Sequence, residues 1–306
     1  MTTGQPFKIL LSYHYFRTKN LDADVAKYFP QPPHIFGDSG AYSAMTQGAP
    51  IDLGEYADWC HRWKHLFDVY VNLDVIGASV ESANKTWKNQ VALEKRGLAP
   101  LPVFHAGEPW SALDRLLDHG YTYIGLGGLV ARRMQQIMPW LISCFRRAEG
   151  RAVFHGFGLT TWSVVRLLPF YSIDSSSWGS GFRYGSLNLF DPDKGKFTNM
   201  QLRDKVAIYE KQHAKLIRGY GFDPAVFAND NLCTREDLCQ IAARSCIRSE
   251  QWLQQHHGPV VIPGTELSGP LRYNADGYLQ NLSDAIHGLR WYNAIIGMQQ
   301  FESMIK

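Results

Sequence analysis

Five short apolar runs in this chain stop at an ionisable side chain. Ile35-Phe-Gly-Asp38, Val69-Tyr-Val-Asn-Leu-Asp74 and Phe170-Tyr-Ser-Ile-Asp174 end in a carboxylate; Val103-Phe-His105 and Val153-Phe-His155 end in an imidazole. Buried parallel strands read as continuous apolar runs, and a barrel built from them carries its chemistry at the strands' C-terminal ends. Two carboxylates facing one pocket suit substitution at a sugar carbon. One attacks C1′ as nucleophile and the other moves protons as general acid and base. A third carboxylate can accept hydrogen bonds from the N–H edge of a purine-like base. Glycosyl transfer and glycoside hydrolysis both fit these residues. So does a metal-dependent hydrolase with Asp38, Asp74, His105, His155 and Asp174 as ligands, although Ser12-Tyr-His-Tyr15 lacks the His-x-His pair common in such barrels. Taken singly, Asp38 and Asp174 are also compatible with helix caps or turns, and the histidines with hydrogen-bonded core residues.

The elements that must position these groups alternate. Strand-like runs at residues 8–13, 34–37, 67–73, 101–105, 121–126, 152–156 and 170–174 are separated by amphipathic stretches at 53–66, 79–95, 110–119, 131–147 and 161–168. Strand–helix alternation implies βαβ units and a parallel sheet. Seven units in this length favour an α/β fold of the (β/α)8 TIM-like barrel type over an open doubly wound sheet, whose first turn would carry a Gly-rich phosphate loop. Residues 185–190 and 259–262 are the candidates for an eighth strand. Residues 183–197 read as a hairpin turned by Asp191–Gly195, and 201–218, 234–256 and 281–304 as long helices, the second opened by the capping sequence Thr234-Arg-Glu-Asp237. The expected organisation is a catalytic barrel over residues 1–199, completed in part by later residues, a hairpin insertion, and a helical C-terminal region over 200–306.

Composition narrows the class. A chain of 306 residues with 45% hydrophobic and 19% charged residues can bury a barrel-sized core. A net charge of +3 gives no overall polyanion signal, so a nucleic-acid surface would be a local patch. Five scattered cysteines, no signal-peptide pattern and no long apolar run lead to the expectation of a cytoplasmic protein with reduced thiols and no membrane association.

Four segments together resemble the tRNA-guanine transglycosylase superfamily. Asp38-Ser-Gly-Ala-Tyr-Ser43 resembles its Asp-Ser-Gly-Gly-Phe-Gln motif and Leu126-Gly-Gly-Leu129 its Gly-Gly-Leu segment. His155-Gly-Phe-Gly158, followed by Ile173-Asp-Ser175, is similar to its Gly-x-Gly strand and the strand bearing the nucleophilic Asp. Order and rough spacing agree over residues 34–198. The resemblance implies Asp174 as the nucleophile that bonds to C1′ as guanine leaves, Asp38 as general acid/base, and Asp74 on the base edge. Ser39, Gly127, Gly128 and Leu129 would shape the base pocket. Arg183 sits where the family places basic residues that hold the nucleic-acid backbone; Arg132, Arg133, Arg146, Arg147, Lys194 and Lys196 are further candidate backbone contacts, and Trp178, Phe182 and Tyr184 candidate stacking surfaces.

The departures from the family are informative. His105 stands where a base-contacting Gln is expected, and His155 replaces an apolar residue against which the base packs, so the implied pocket holds a related but altered base. The family's zinc motif is absent: Cys233, Cys239 and Cys246 are too widely spaced for a compact knuckle, and no cofactor is expected. A short member without zinc is similar to the phage and bacterial branch that places 7-deazaguanine (preQ0-type) bases in DNA. The expected substrate polymer is therefore DNA, with tRNA the alternative, in a host cytoplasm if phage-encoded. A helper protein or oligomer would fit the helical region. A non-catalytic binding subunit is the remaining class, and retention of both Asp38 and Asp174 speaks against it.

Overall fold

The computed structural model describes residues 7–29, 31–130, 132–159, 161–257, 260–263, 286–287 and 290–295. Twelve strands lie among them: β1 Lys8–Ser12, β2 His34–Asp38, β3 Val69–Tyr70, β4 Val103–His105, β5 Tyr123–Gly127, β6 Val153–Gly156, β7 Ser172–Ser175, β8 Ser186–Asp191, β9 Lys196–Gln201, β10 Val260–Val261, β11 Ile286–His287 and β12 Arg290–Ile295. Eight form one sheet in the order β3-β2-β1-β12-β7-β6-β5-β4, with every pairing parallel. Helices connect successive strands, among them Leu53–Trp63, Val80–Lys95, Trp110–Asp118 and Met134–Ala148, so the chain is α/β with a parallel sheet. Beyond β3, Val71 forms a parallel bridge with Leu101, which lies just before β4, at the other end of that strand order. No helix among the described residues is long and apolar enough to cross a membrane.

Side-chain alternation with period two divides the sheet's residues between two faces. Ile9, Leu11, Ile35, Phe104, Ile124, Leu126, Phe154 and Ile173 join the large core shared with the helices. Leu10, Phe36, Val71, Leu101 and Val103 pack together in a separate cluster. Asp38 follows Phe36 by two positions and His105 follows Val103 by two, so each falls on the face of that smaller cluster. A parallel sheet buried on both faces can thus be apolar along most of its length and still present acids and imidazoles at its C-terminal edge.

Three expectations need correction. The eighth strand of the sheet is β12, between β1 and β7, and not either of the expected segments. Residues 186–191 pair antiparallel with 196–201 in the expected hairpin, and Val260–Val261 pair antiparallel with Ile286–His287. The stretch 281–304 was expected to be helical but supplies β11 and β12; its other residues lie outside the described ones. The reason is tertiary: the exposed edges of β1 and β7 offer ladder hydrogen bonds to Arg290–Ile295, and that pairing overrides a helical reading of the local pattern. The stretch 201–218 is also divided, into helices Lys205–Tyr209 and Lys211–Gly219.

The hairpin and the helices after it therefore sit in sequence between two neighbouring strands of the sheet. Leu187, Leu189 and Met200 of the hairpin pack with Ile208, Ile217 and Phe227 in a second core. Helix Arg235–His257 belongs to both cores, through Leu238 and Ile241 on one side and Cys239, Cys246 and Leu253 on the other. Its Thr234 cap forms as expected, with Thr234 Oγ1 accepting from Asp237 N at 3.1 Å and Asp237 accepting in return from Thr234 N at 3.0 Å. A partly buried ion pair, Lys8 Nζ–Glu250 at 2.6 Å, ties this helix to β1.

Tyr56, fully buried, donates its hydroxyl to the Val71 carbonyl beside the Val71–Leu101 bridge. Tyr56→Phe leaves that buried carbonyl without its donor. It should lower stability by ~1–3 kcal/mol in urea unfolding, with the m-value unchanged. An unaltered midpoint would show that the hydroxyl contributes nothing to this junction.

Candidate active site

A cavity of about 700 Å³ opens at the C-terminal edge of the sheet, within the size range of small-molecule sites. Asp38, Asp74, His105, Gly127, Gly128 and Asp174 all line it. They come from β2, the segment after β3, β4, β5 with its following turn, and β7. Strand register explains the convergence: Ser12 lies opposite Asp38, His105 opposite Gly127, and Tyr292 opposite Asp174. Gly127 is required by space, since a Cβ there would come within 2.6 Å of the His105 ring.

The three carboxylates have different surroundings. Asp74 Oδ2 pairs with His105 Nε2 at 2.8 Å, and Asp74 Oδ1 accepts from Ser39 Oγ at 3.3 Å. Glu108, also buried, accepts from the His105 backbone N–H at 2.9 Å and lies 3.4 Å from its Nδ1. Burial opposes charge on His105, but the hydrogen bonds to Asp74 and Glu108 outweigh it and raise the imidazole pKa to about 9. His105 is thus a buried cation at neutral pH, held between two acids.

Asp174 meets a backbone N–H and an imidazole. Gly158 N–H donates to its Oδ1 at 2.8 Å, and His155 Nε2 lies 3.2 Å from the same oxygen. Gly158 adopts φ +61°, a conformation that suits glycine, in the turn that aims this N–H. His155 is wholly buried, stacked on Phe36 with centroids 4.4 Å apart, and burial lowers its pKa despite Asp174.

Asp38 is paired with no cation among the described residues. Its Oδ2 accepts from Gly40 N–H at 2.8 Å, the bond a simple turn would make, so the turn reading of this residue is true as far as it goes. Its carboxyl nevertheless faces the cavity. Burial, then repulsion from Asp74 and Asp174, raises its pKa to about 7; the Gly40 N–H and the nearby Ser12 hydroxyl act in the opposite direction. Ser12 Oγ is itself buried without a well-formed hydrogen bond. The arrangement offers one carboxyl that exchanges a proton near neutrality beside another that meets a backbone N–H and an imidazole.

Neither comparison with protein-family models nor comparison with curated proteins finds a match for this chain.

The remaining expected residues are placed as follows. Ser39 and His155 stand directly behind Asp74 and Asp174, and Leu129 is buried in the main core. Arg183 donates to the carbonyls of Ser176, which lines the cavity, and Gly179. Lys194 and Lys196 are not brought to the cavity: both belong to the β8–β9 hairpin, where Lys194 pairs with Asp191 at 2.9 Å. Trp178 is buried and cannot offer a stacking face, whereas Tyr184 is 74% exposed. No disulfide joins any of the five cysteines, and Cys239 and Cys246 are core residues. Among the described residues no group of three or more His, Cys, Asp or Glu side chains is arranged to hold a metal ion.

Sequence reasoning missed Glu108, Ser172 and Tyr123. Ser172 precedes Asp174 by two positions on one strand, so period-two alternation was the available signal for it. Glu108 reaches His105 from a turn, and nothing in the local pattern marks that.

Raised above the ordinary carboxyl value of 3.8, Asp38 retains in the folded protein a proton that the unfolded chain has released. Its ionisation therefore costs stability as pH rises from about 4 through 7. Asp38→Asn should raise stability by ~1–3 kcal/mol at pH 8, with the gain fading toward pH 4, in urea titrations across that range. A pH-independent difference would contradict the raised pKa.

Proposed function

We propose that the strands close into a (β/α)8 barrel and that the chain is a base-exchange transglycosylase, replacing guanine in DNA with a 7-deazaguanine. The observation that carries the reading is the pairing of Asp174 and Asp38 on one cavity, the first held by donors that leave one oxygen free and the second titrating near neutrality. The parallel bridge between Val71 and Leu101 supports closure of the sheet.

In this reading the free oxygen of Asp174 attacks C1′ as the C1′–N9 bond breaks, and Asp38, protonated, gives its proton to the departing guanine. The incoming base then loses its N9 proton to Asp38 and attacks C1′. The ester to Asp174 breaks, and both acids return to their starting states. Asp38 serves both halves because a pKa near 7 lets it give and take a proton at the same pH. Asp74, paired with His105, accepts from the N–H edge of the base. Gly127 and Gly128, which line the cavity, present backbone to one side of the base. Arg183 near the cavity and exposed Tyr184, whose ring lies 5.6 Å from the Arg183 guanidinium, offer a charge and a stacking face to a strand carrying a flipped-out base.

Exchange of radiolabelled guanine on duplex DNA, single-stranded DNA and tRNA tests the reading. Incorporation into DNA is expected, reduced at least 1,000-fold in Asp174→Ala on the usual scale for a lost nucleophile. Asp174→Asn should trap no covalent adduct. Incorporation into tRNA alone would transfer the same chemistry to that polymer, and undiminished exchange in Asp174→Ala would remove Asp174 from its role.

A further inference from the structure

Behind Asp174 a chain of hydrogen bonds runs across neighbouring strands toward the opposite edge of the sheet. Tyr123 opens β5 and Ser172 opens β7, and His155 of β6 lies between them, registered opposite Ser172 on one side and Gly125 on the other. The Tyr123 hydroxyl bonds Ser172 Oγ, which lies 2.6 Å from His155 Nδ1; His155 Nε2 then meets Asp174 Oδ1 at 3.2 Å. Ser172 and His155 are wholly buried and Asp174 nearly so. Phe36 stacks on the imidazole, and Phe157 meets it edge-on with centroids 4.4 Å apart, so the ring's orientation is set by packing.

We propose that Ser172 and Tyr123 are positioning residues for Asp174: acting through His155, they hold the imidazole as its Nε2–H tautomer, which fixes Oδ1 as an acceptor and leaves Oδ2 free toward the cavity. The assignment rests on the role proposed for Asp174.

The direction of each bond follows from its neighbours. Oδ1 already accepts from Gly158 N–H, so the nitrogen that meets it is the one carrying hydrogen. Burial keeps the imidazole neutral, which leaves Nδ1 bare and makes Ser172 Oγ the donor to it. With its hydrogen so committed, Ser172 Oγ receives one from Tyr123. In the other neutral tautomer the Nε2 lone pair would face a carboxylate oxygen and push it away. A serine hydroxyl alone can serve either tautomer by rotating; a phenol donating to it removes that freedom. The logic is that of a carboxylate orienting the histidine of a hydrolase triad, run in reverse, with two hydroxyls orienting an imidazole that orients an acid.

Imidazole tautomers are distinguished by nitrogen-15 NMR of the full chain, with His155 assigned by the loss of its signals in His155→Gln. Wild-type His155 should show a single neutral Nε2–H form. Ser172→Ala should populate the Nδ1–H form and lower kcat on the order of 10- to 100-fold with KM little changed, the scale set by lost outer partners of metal-bound histidines. Ser172→Thr, which keeps the hydroxyl, should restore both. Tyr123→Phe should shift the tautomer in the same direction as Ser172→Ala and less far. An Nδ1–H form or an imidazolium in the wild type overturns the proposal whether or not any variant folds, as does a Ser172→Ala spectrum identical to wild type. The expected tautomer in a protein that exchanges no base on any nucleic acid would support the positioning while removing the transglycosylase reading.

Discussion

Like charges that share one cavity repel, and the way the chain absorbs the repulsion among Asp38, Asp74 and Asp174 shapes everything around them. Each acid is accommodated differently. Asp74 receives a full cation, His105, whose charge is secured from the far side by Glu108. Asp174 receives a backbone N–H and a neutral imidazole. Asp38 accepts from one backbone N–H and pairs with no cation among the described residues; burial first, and then repulsion from Asp74 and Asp174, raise its pKa. Three residues of one type thereby meet three different sets of partners within a single pocket. This is how proteins separate the roles of chemically identical groups.

That solution makes demands on the frame. A buried imidazolium needs room, and the absence of a side chain at Gly127 supplies it. The donor to Asp174 must come from outside its own strand, so the turn after β6 adopts a backbone conformation suited to glycine. Aromatic and aliphatic side chains on the same face of the sheet, Phe36 and Val103 among them, exclude water beneath the polar edge. A lower local dielectric strengthens each pairing and makes each unpaired group more costly. The hairpin and its helices enter the chain between β7 and β12, and the Lys8–Glu250 pair anchors them to β1.

Much of this was legible along the chain. Seven parallel strands, the helices between them, the hairpin and the Thr234 cap follow from local periodicity and from short-range capping chemistry. Asp38, His105 and Asp174 at strand ends, and Asp74 in the segment after β3, were visible because each ends an apolar run. The segment at 290–295 was not legible, because what makes it a strand is the pair of open edges on β1 and β7, far away in sequence. Lys194 and Lys196 illustrate the converse. Their charge was evident, but the hairpin carries them away from the cavity and one is already paired within it.

The sequence by itself determined which residues stand at the C-terminal edge of the sheet, because period-two alternation and strand length depend only on neighbours in the chain. Only the tertiary structure decided what those residues are chemically. Whether an aspartate titrates near 7, whether one histidine is a cation and the other neutral, and which oxygen of Asp174 is free all depend on partners across several strands. Charge and protonation respond to distance through space, and distance along the chain carries little of that information.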